Sequence, residues 1–137
     1  MTDRTRPLIL IADDDPDLRN LVHITLEGFD CDIIEANDGE DTLEKLHEES
    51  PDMVILDVMM PRITGWEVLR HIRSHENKAV ADTGVLMLTG IGETLNELSS
   101  PMYGADDYID KPFQTSELLF KVRRVLSKAR RRKAKES

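Results

Sequence analysis

The chain has a single cysteine, Cys31, in 137 residues, and one thiol cannot close an internal disulfide. A reducing compartment is the simplest reading, and no residues near Cys31 have metal-ligand spacing. Long apolar runs are missing as well. The longest is Leu8 to Ala12, and it ends in three aspartates, so neither a signal peptide nor a membrane-spanning segment is legible. A cytoplasmic protein with no membrane partner is expected. Basic residues are scarce through Phe120, nine Lys or Arg against 26 Asp or Glu, a net of −17. Such a body repels phosphate backbones, which excludes direct nucleic-acid binding by the body itself, and it attracts cations. Internal repeats and low-complexity segments are also absent.

What is present describes one domain. Hydrophobic residues make up 39% and charged residues 33%, a balance that supports a buried core in a soluble fold. From Lys121 onward nine basic residues face one acidic residue, so a net of +8 sits at the end of a chain whose total is −9. The segment Lys128 to Lys135 has no stacking aromatics and no apolar residue larger than Ala129 or Ala134. It reads first as a solvated helix end or a linker, with nucleic acid, an acidic partner or the chain's own acidic body as the other readings.

Short apolar runs alternate with amphipathic stretches, the pattern of a parallel sheet with helices on both faces. Strands are expected at Leu8 to Ala12, Asp32 to Ala36, Met53 to Val58, Val85 to Thr89 and Ala105 to Asp110. Asp15 caps a first helix with Pro16 at its first position and Leu18, Leu21, Val22 and Leu26 on one face, stopped near Gly28. Glu40 to Glu48 forms a second, with Leu43 and Leu46 inward, ended by Ser50 and Pro51. A third carries Trp66, Val68, Leu69 and Ile72 and is followed by a polar loop up to Gly84. A fourth falls within Glu93 to Tyr103. The last is capped by Ser116 or a neighbour, and its apolar stripe stops at Leu126.

In an open parallel sheet, ligands bind beyond the carboxyl ends of the strands, where strand order reverses. Asp13 and Asp14 follow the first strand, Asp57 closes the third, Thr89 closes the fourth and Lys111 follows the fifth. Four strand ends therefore bring three carboxylates, a hydroxyl and an ammonium to one edge. Three carboxylates in a crevice repel one another unless a cation joins them, and an all-oxygen set with few carboxylates favours Mg2+. With Lys111 nearby the arrangement can seat a phosphoryl group. Asp57 can attack phosphorus to give an aspartyl phosphate, and Thr89 can bond a phosphate oxygen.

These residues resemble the receiver domain of bacterial two-component response regulators, of the chemotaxis-regulator kind. The resemblance is carried by Asp13-Asp14, by Asp57 with Met60-Pro61 and Gly65 after it, by Thr89, by Gly104-Ala105-Asp106-Asp107-Tyr108 and by Lys111-Pro112-Phe113. It runs from about Pro7 to about Leu126. It implies a flavodoxin-like doubly wound (βα)5 fold with five parallel strands in the order 2-1-3-4-5, a receiver over residues 1–126, and a basic helix extension or linker over 127–137. It further implies that Asp57 accepts phosphate from a sensor histidine kinase or a histidine phosphotransfer protein. Asp14, Asp57 and the backbone carbonyl of Met59 would bind Mg2+ directly, and Asp13 through water. Lys111 would pair with the phosphate, Thr89 and Tyr108 would move as the switch, and the Lys111-Pro112 bond would be cis. A downstream effector or output domain would read the changed face, with dimerisation as one outcome. Such a chain is no turnover enzyme, since it catalyses only its own phosphorylation and dephosphorylation.

Some positions depart from the family pattern. The stretch from Asp57 to Thr89 is slightly long, Gly90 stands where alanine is usual, and Pro101 falls where a helix usually continues, against a dimer through that face. Met59 and Ile91 are apolar where some relatives position water, which predicts slow loss of phosphate. A phosphorylation-independent pseudo-receiver would lack a site residue, and none is missing. A small Mg2+-dependent phosphohydrolase of the haloacid dehalogenase type is the enzyme alternative, using Asp13 and Asp15 with Thr89, Lys111 and Asp106-Asp107. It leaves Asp57 unexplained. His71 and His75, four apart after Glu67, read as surface-helix residues for want of a further ligand.

Overall fold

The structure, a computed structural model, describes residues 6–90 and 104–135. Five parallel strands lie in the order β2-β1-β3-β4-β5: β1 (Leu8–Ala12), β2 (Asp32–Ala36), β3 (Met53–Asp57), β4 (Gly84–Thr89) and β5 (Asp107–Asp110). Around them lie α1 (Pro16–Leu26), α2 (Gly39–Glu49), α3 (Gly65–Arg73), the single turn α4 (Lys78–Ala81) and α5 (Thr115–Lys135). This is the flavodoxin-like arrangement. Because successive strand residues face opposite sides, Ile9, Ile11, Met53, Ile55, Leu86 and Leu88 pack under α1 and α5. Their neighbours Leu10, Val54, Leu56, Val85 and Met87 pack under α2 and α3.

β1, β3 and β4 are buried at every position, as continuous apolar runs in a doubly covered sheet should be. That leaves Asp57, at the end of β3, as a carboxylate held in the interior. The chain enters α1 through Asp15, whose side chain accepts from the Asp17 amide, with Pro16 at the first helical position. Cys31 is buried in the core under α1 and α5, and burial pushes its thiol pKa up, so it packs as an inert apolar group.

Several local expectations are corrected. Leu21 is 44% exposed, because the face that meets the sheet is set by Val22 and Leu26, with Leu18 at its margin. The polar loop after α3 contains α4, capped by the Asn77 side chain on the Ala79 amide. Four residues are too few to show a helical period. β5 begins at Asp107, where the Val85 amide bonds the Asp106 side chain in place of a backbone carbonyl. α5 begins at Thr115, placing Ser116 inside its first turn. The stripe of α5 continues past Leu126 to Ala129, which is buried. The helix expected within Glu93 to Tyr103, with Pro101, lies outside the described residues.

The amino-terminal edge of the sheet is tied by one carboxylate. Asp106 accepts from Arg132 Nη1 at 2.6 Å, from Arg73 Nη2 at 3.0 Å and from the Val85 amide at 2.9 Å. Arg73 also donates to the carbonyls of Gly104, Ala81 and Thr83. It carries its charge in the interior, and burial draws its pKa below the ordinary value. Arg132 thus returns part of the basic tail onto the acidic body.

Candidate functional site

At the opposite, carboxyl-terminal edge, β1 and β3 are neighbours across the point where strand order reverses. The loops beyond them bring carboxylate oxygens of Asp13, Asp14 and Asp57 within 4.8 Å of one another. Asp13 and Asp57 are buried, and Asp14 faces solvent. Lys111, just past β5, donates from Nζ to Asp57 Oδ1 at 3.0 Å and to Asp13 Oδ2 at 3.4 Å. The four residues meet as the sequence pattern expects.

Local structure fixes each of them. Asp13 Oδ1 accepts from the Asp15 amide at 2.9 Å, while Arg19 Nη1 donates to the Asp13 carbonyl at 2.6 Å. Arg19 is in turn held by Glu35, which also bonds His23. The His23 hydrogen bond, more than the Arg19 one, holds the Glu35 carboxyl below its usual pKa. Asp57 Oδ1 accepts from the Met59 amide at 3.2 Å. Beneath the Asp57 loop sits Gly65, whose amide bonds Val58 O, and a Cβ there would stand 2.3 Å from Asp57 O. Only glycine allows α3 to begin so close to that loop.

The electrostatics are those of a cation seat. Burial, and next the charge of Asp57, raise the Asp13 carboxyl from 3.8 to about 6, against the opposing pull of the Asp15 amide and Lys111. Burial alone would lower the Lys111 pKa, but its bonds to Asp57 and Asp13 outweigh that and raise it, so the ammonium stays charged. A crowded set of oxygen donors that resists full ionisation fits a hard divalent ion.

Thr89 is buried and points its hydroxyl to Asp110 Oδ1 at 2.6 Å. Asp110 is the residue opposite Thr89 in the β4–β5 register. Tyr108 packs half-buried against the core under α2 and α3. Its carbonyl accepts from Lys121 Nζ at 2.6 Å, and the same ammonium lies 5.5 Å from its ring centroid. Met59 exposes 65% of its surface beside Asp57, and the Lys111-Pro112 bond is cis. Ile91 lies outside the described residues. Arg19 and Asp110 were not legible as site residues, since a helix-face arginine and a strand-end carboxylate acquire partners only through the register of the sheet.

The haloacid dehalogenase alternative meets this geometry poorly. Asp106, one of its later acids, accepts from the Val85 amide at the amino-terminal edge of β4, across the sheet from Asp13. Asp15 is an exposed helix cap.

A parallel five-stranded sheet with an acidic pocket and a lysine at its reversal point defines an α/β phosphoryl-handling module. Residues 9–123 match the family model described as the response regulator receiver domain. The chain belongs to that family. It is 39% identical over 125 residues to the DNA-binding dual master transcriptional regulator RpaA of Synechocystis, covering 91% of this chain and 51% of that protein. It is 36% identical over 121 residues to the alkaline phosphatase synthesis transcriptional regulatory protein PhoP of Bacillus subtilis, covering 88% and 49%. The chain thus spans about half the length of these curated relatives. Among solved structures it resembles the chemotaxis response regulator CheY4 of Vibrio cholerae, with a TM-score of 0.78, 30% identity and coverage of 88% of this chain and 99% of that one. The receiver domain of NtrX from Brucella abortus gives a TM-score of 0.77 at 30% identity, with 87% and 98% covered. No helix among the described residues is long and apolar enough to cross a membrane.

Proposed function

We propose that Asp57 is the phosphoacceptor of this receiver and that its phosphorylation is the signal the domain transmits. The observation that carries the reading is the Lys111 ammonium 3.0 Å from Asp57 Oδ1 inside a cluster of three carboxylates. Attack by an Asp57 oxygen forms an O–P bond as the donor phosphohistidine's N–P bond breaks and its electron pair returns to the imidazole. Lys111 stays protonated, pairs with the incoming phosphoryl oxygens and leaves Asp57 free to react.

Asp14, Asp57 and the Met59 carbonyl would hold Mg2+, with the Asp13 carboxylate beside them. When bound, the ion neutralises carboxylate charge and offsets the charge on the phosphoryl oxygens. Thr89 then exchanges Asp110 for a phosphate oxygen, Tyr108 follows, and a partner or output domain binds the altered surface. The phosphoryl donor is a sensor histidine kinase or a histidine phosphotransfer protein, met in the cytoplasm. Beyond its own phosphorylation and dephosphorylation the domain turns over no substrate, and any nucleic-acid contact belongs to an output domain.

Treatment with acetyl phosphate and MgCl2, followed by intact-mass and peptide mass spectrometry, tests this reading. A single stable label on Asp57, absent from Asp57→Asn and without MgCl2, is expected. Label on Asp13, or rapid turnover with none retained, would overturn it. With apolar residues two positions past both Asp57 and Thr89 in the sequence, Met59 and Ile91, the label is expected to outlast minutes, and decay within seconds contradicts that part.

A further inference from the structure

Three of the chain's four histidines meet on one patch, although they come from two elements. His47 lies in the last turn of α2, His71 in the last turn of α3, and His75 just beyond α3. In a parallel α/β fold these helices start at the carboxyl edge of the sheet and end at the other, so the patch is remote from Asp57. His47 Nε2 is 3.2 Å from His71 Nε2. One ring nitrogen from each of the three histidines lies within 4.8 Å of the other two. The ring centroids stand 5.4, 5.0 and 5.7 Å apart. The sequence offered only the His71 and His75 pair, and α2 supplies the third imidazole.

We propose that His47, His71 and His75 form a binding site for a borderline divalent transition ion, Zn2+ foremost, that clasps the carboxyl ends of α2 and α3.

Two nitrogens bound 2.0–2.1 Å from a tetrahedral zinc stand about 3.3 Å apart, close to the His47–His71 separation. Imidazole donors select zinc, copper or nickel over magnesium, so the patch and the carboxylate pocket sort ions by chemistry. The negative ends of two helix dipoles favour a cation between them. Arg73, a cation of the same last turn, is turned away onto Asp106 and three carbonyls. His47 is exposed, so the remaining coordination position opens to water. His75 Nδ1 accepts from the Asn77 amide at 3.0 Å. Ligation by His75 gives up that bond or turns the ring about Cβ–Cγ. A three-imidazole site joining residues 24 apart binds only the folded chain and therefore stabilises it.

The test uses the full chain, free of any affinity tag and stripped with a chelator. Zinc chloride is titrated by calorimetry in excess MgCl2, and proton–nitrogen correlation spectra follow the imidazole rings. One Zn2+ per chain is expected, with a rise in Tm and shifts at His47, His71 and His75 while His23, bonded to Glu35, stays still. His47→Gln and His71→Gln should each weaken binding by more than about tenfold, since losing even an outer partner of a ligand costs 10–100-fold. Asp13→Asn should leave it unchanged. Zinc that fails to bind, that binds equally well to both histidine variants, or that depends on Asp13 would overturn the proposal. The spectra of the unaltered chain decide the matter should a variant not fold, and neither outcome bears on phosphorylation of Asp57.

Discussion

Asp13 is the residue at which burial and function pull in opposite directions. Its folded pKa of about 6 lies above the ordinary 3.8, so the protonated form favours the folded state. The stability it contributes is full below about 4 and is lost as pH rises through about 6. At neutral pH without a divalent ion, its ionised form strains the fold. Asp13→Asn should therefore stabilise the cation-free protein at pH 7–8 by about 2–3 kcal/mol, since each tenfold change in proton affinity corresponds to about 1.36 kcal/mol. The advantage should shrink toward pH 4 and disappear in saturating MgCl2. Urea melts across pH, with and without MgCl2, read all three. A variant less stable at neutral pH without Mg2+ would show that the carboxylate is already compensated. The Thr89–Asp110 bond makes a second demand. A hydrogen bond to a charged group contributes about 1.5–3 kcal/mol, and under the proposed function Thr89 would give this one up for a phosphoryl oxygen. Asp110→Ala should shift the unphosphorylated Thr89 amide resonance toward its phosphorylated position. A resonance that does not move would mean that Asp110 holds nothing back.

At the scale of elements, the α3 start shows how a backbone contact serves chemistry. Thr64 caps the helix through the Glu67 amide, and Gly65 lets that cap seat against Asp57 and Val58. Gly65→Ala places a Cβ 2.3 Å from Asp57 O, so either the helix or the acceptor loop must move. A loss of about 1–3 kcal/mol, the usual range for overpacking, is expected in urea unfolding. Labelling of Asp57 by acetyl phosphate should slow in the same variant. Unchanged labelling would mean that the helix, not the loop, gives way. Much at this scale was legible: the apolar runs are the strands, Asp15-Pro16 is a cap, and Asp13, Asp14, Asp57 and Lys111 meet because parallel strands all end at one edge. Illegible features depend on lateral register. Asp110 faces Thr89, and His47 faces His71, only after two elements have been set side by side. α4 has one turn, too short for periodicity, and Leu21 lies just off the buried stripe.

For the whole molecule, the segregation of charge acquires a structural meaning. A net of −17 through Phe120 and +8 beyond it suggests a body and a detachable tail. The helix that carries the tail is nonetheless continuous from Thr115 to Lys135, and it places Ala129 in the core and Arg132 on Asp106 and the carbonyls of Asp82 and Thr83. Arg130 and Arg131 project to solvent, where they are free to meet an acidic partner. One face of the tail therefore belongs to the fold while the other is available. A chain ended after Leu126 should lose at least about 2 kcal/mol in urea unfolding, because it loses the buried Ala129 and Asp106 loses one of its two arginines. Arg132→Ala should reproduce most of that loss, whereas Arg130→Ala with Arg131→Ala should stay within about 0.5 kcal/mol of the parent. Equal stability of the shortened and full chains would make the tail a separable linker. A loss shared by the Arg130 and Arg131 variant would instead point to long-range attraction between tail and body, which added salt would weaken and a buried ion pair would largely resist.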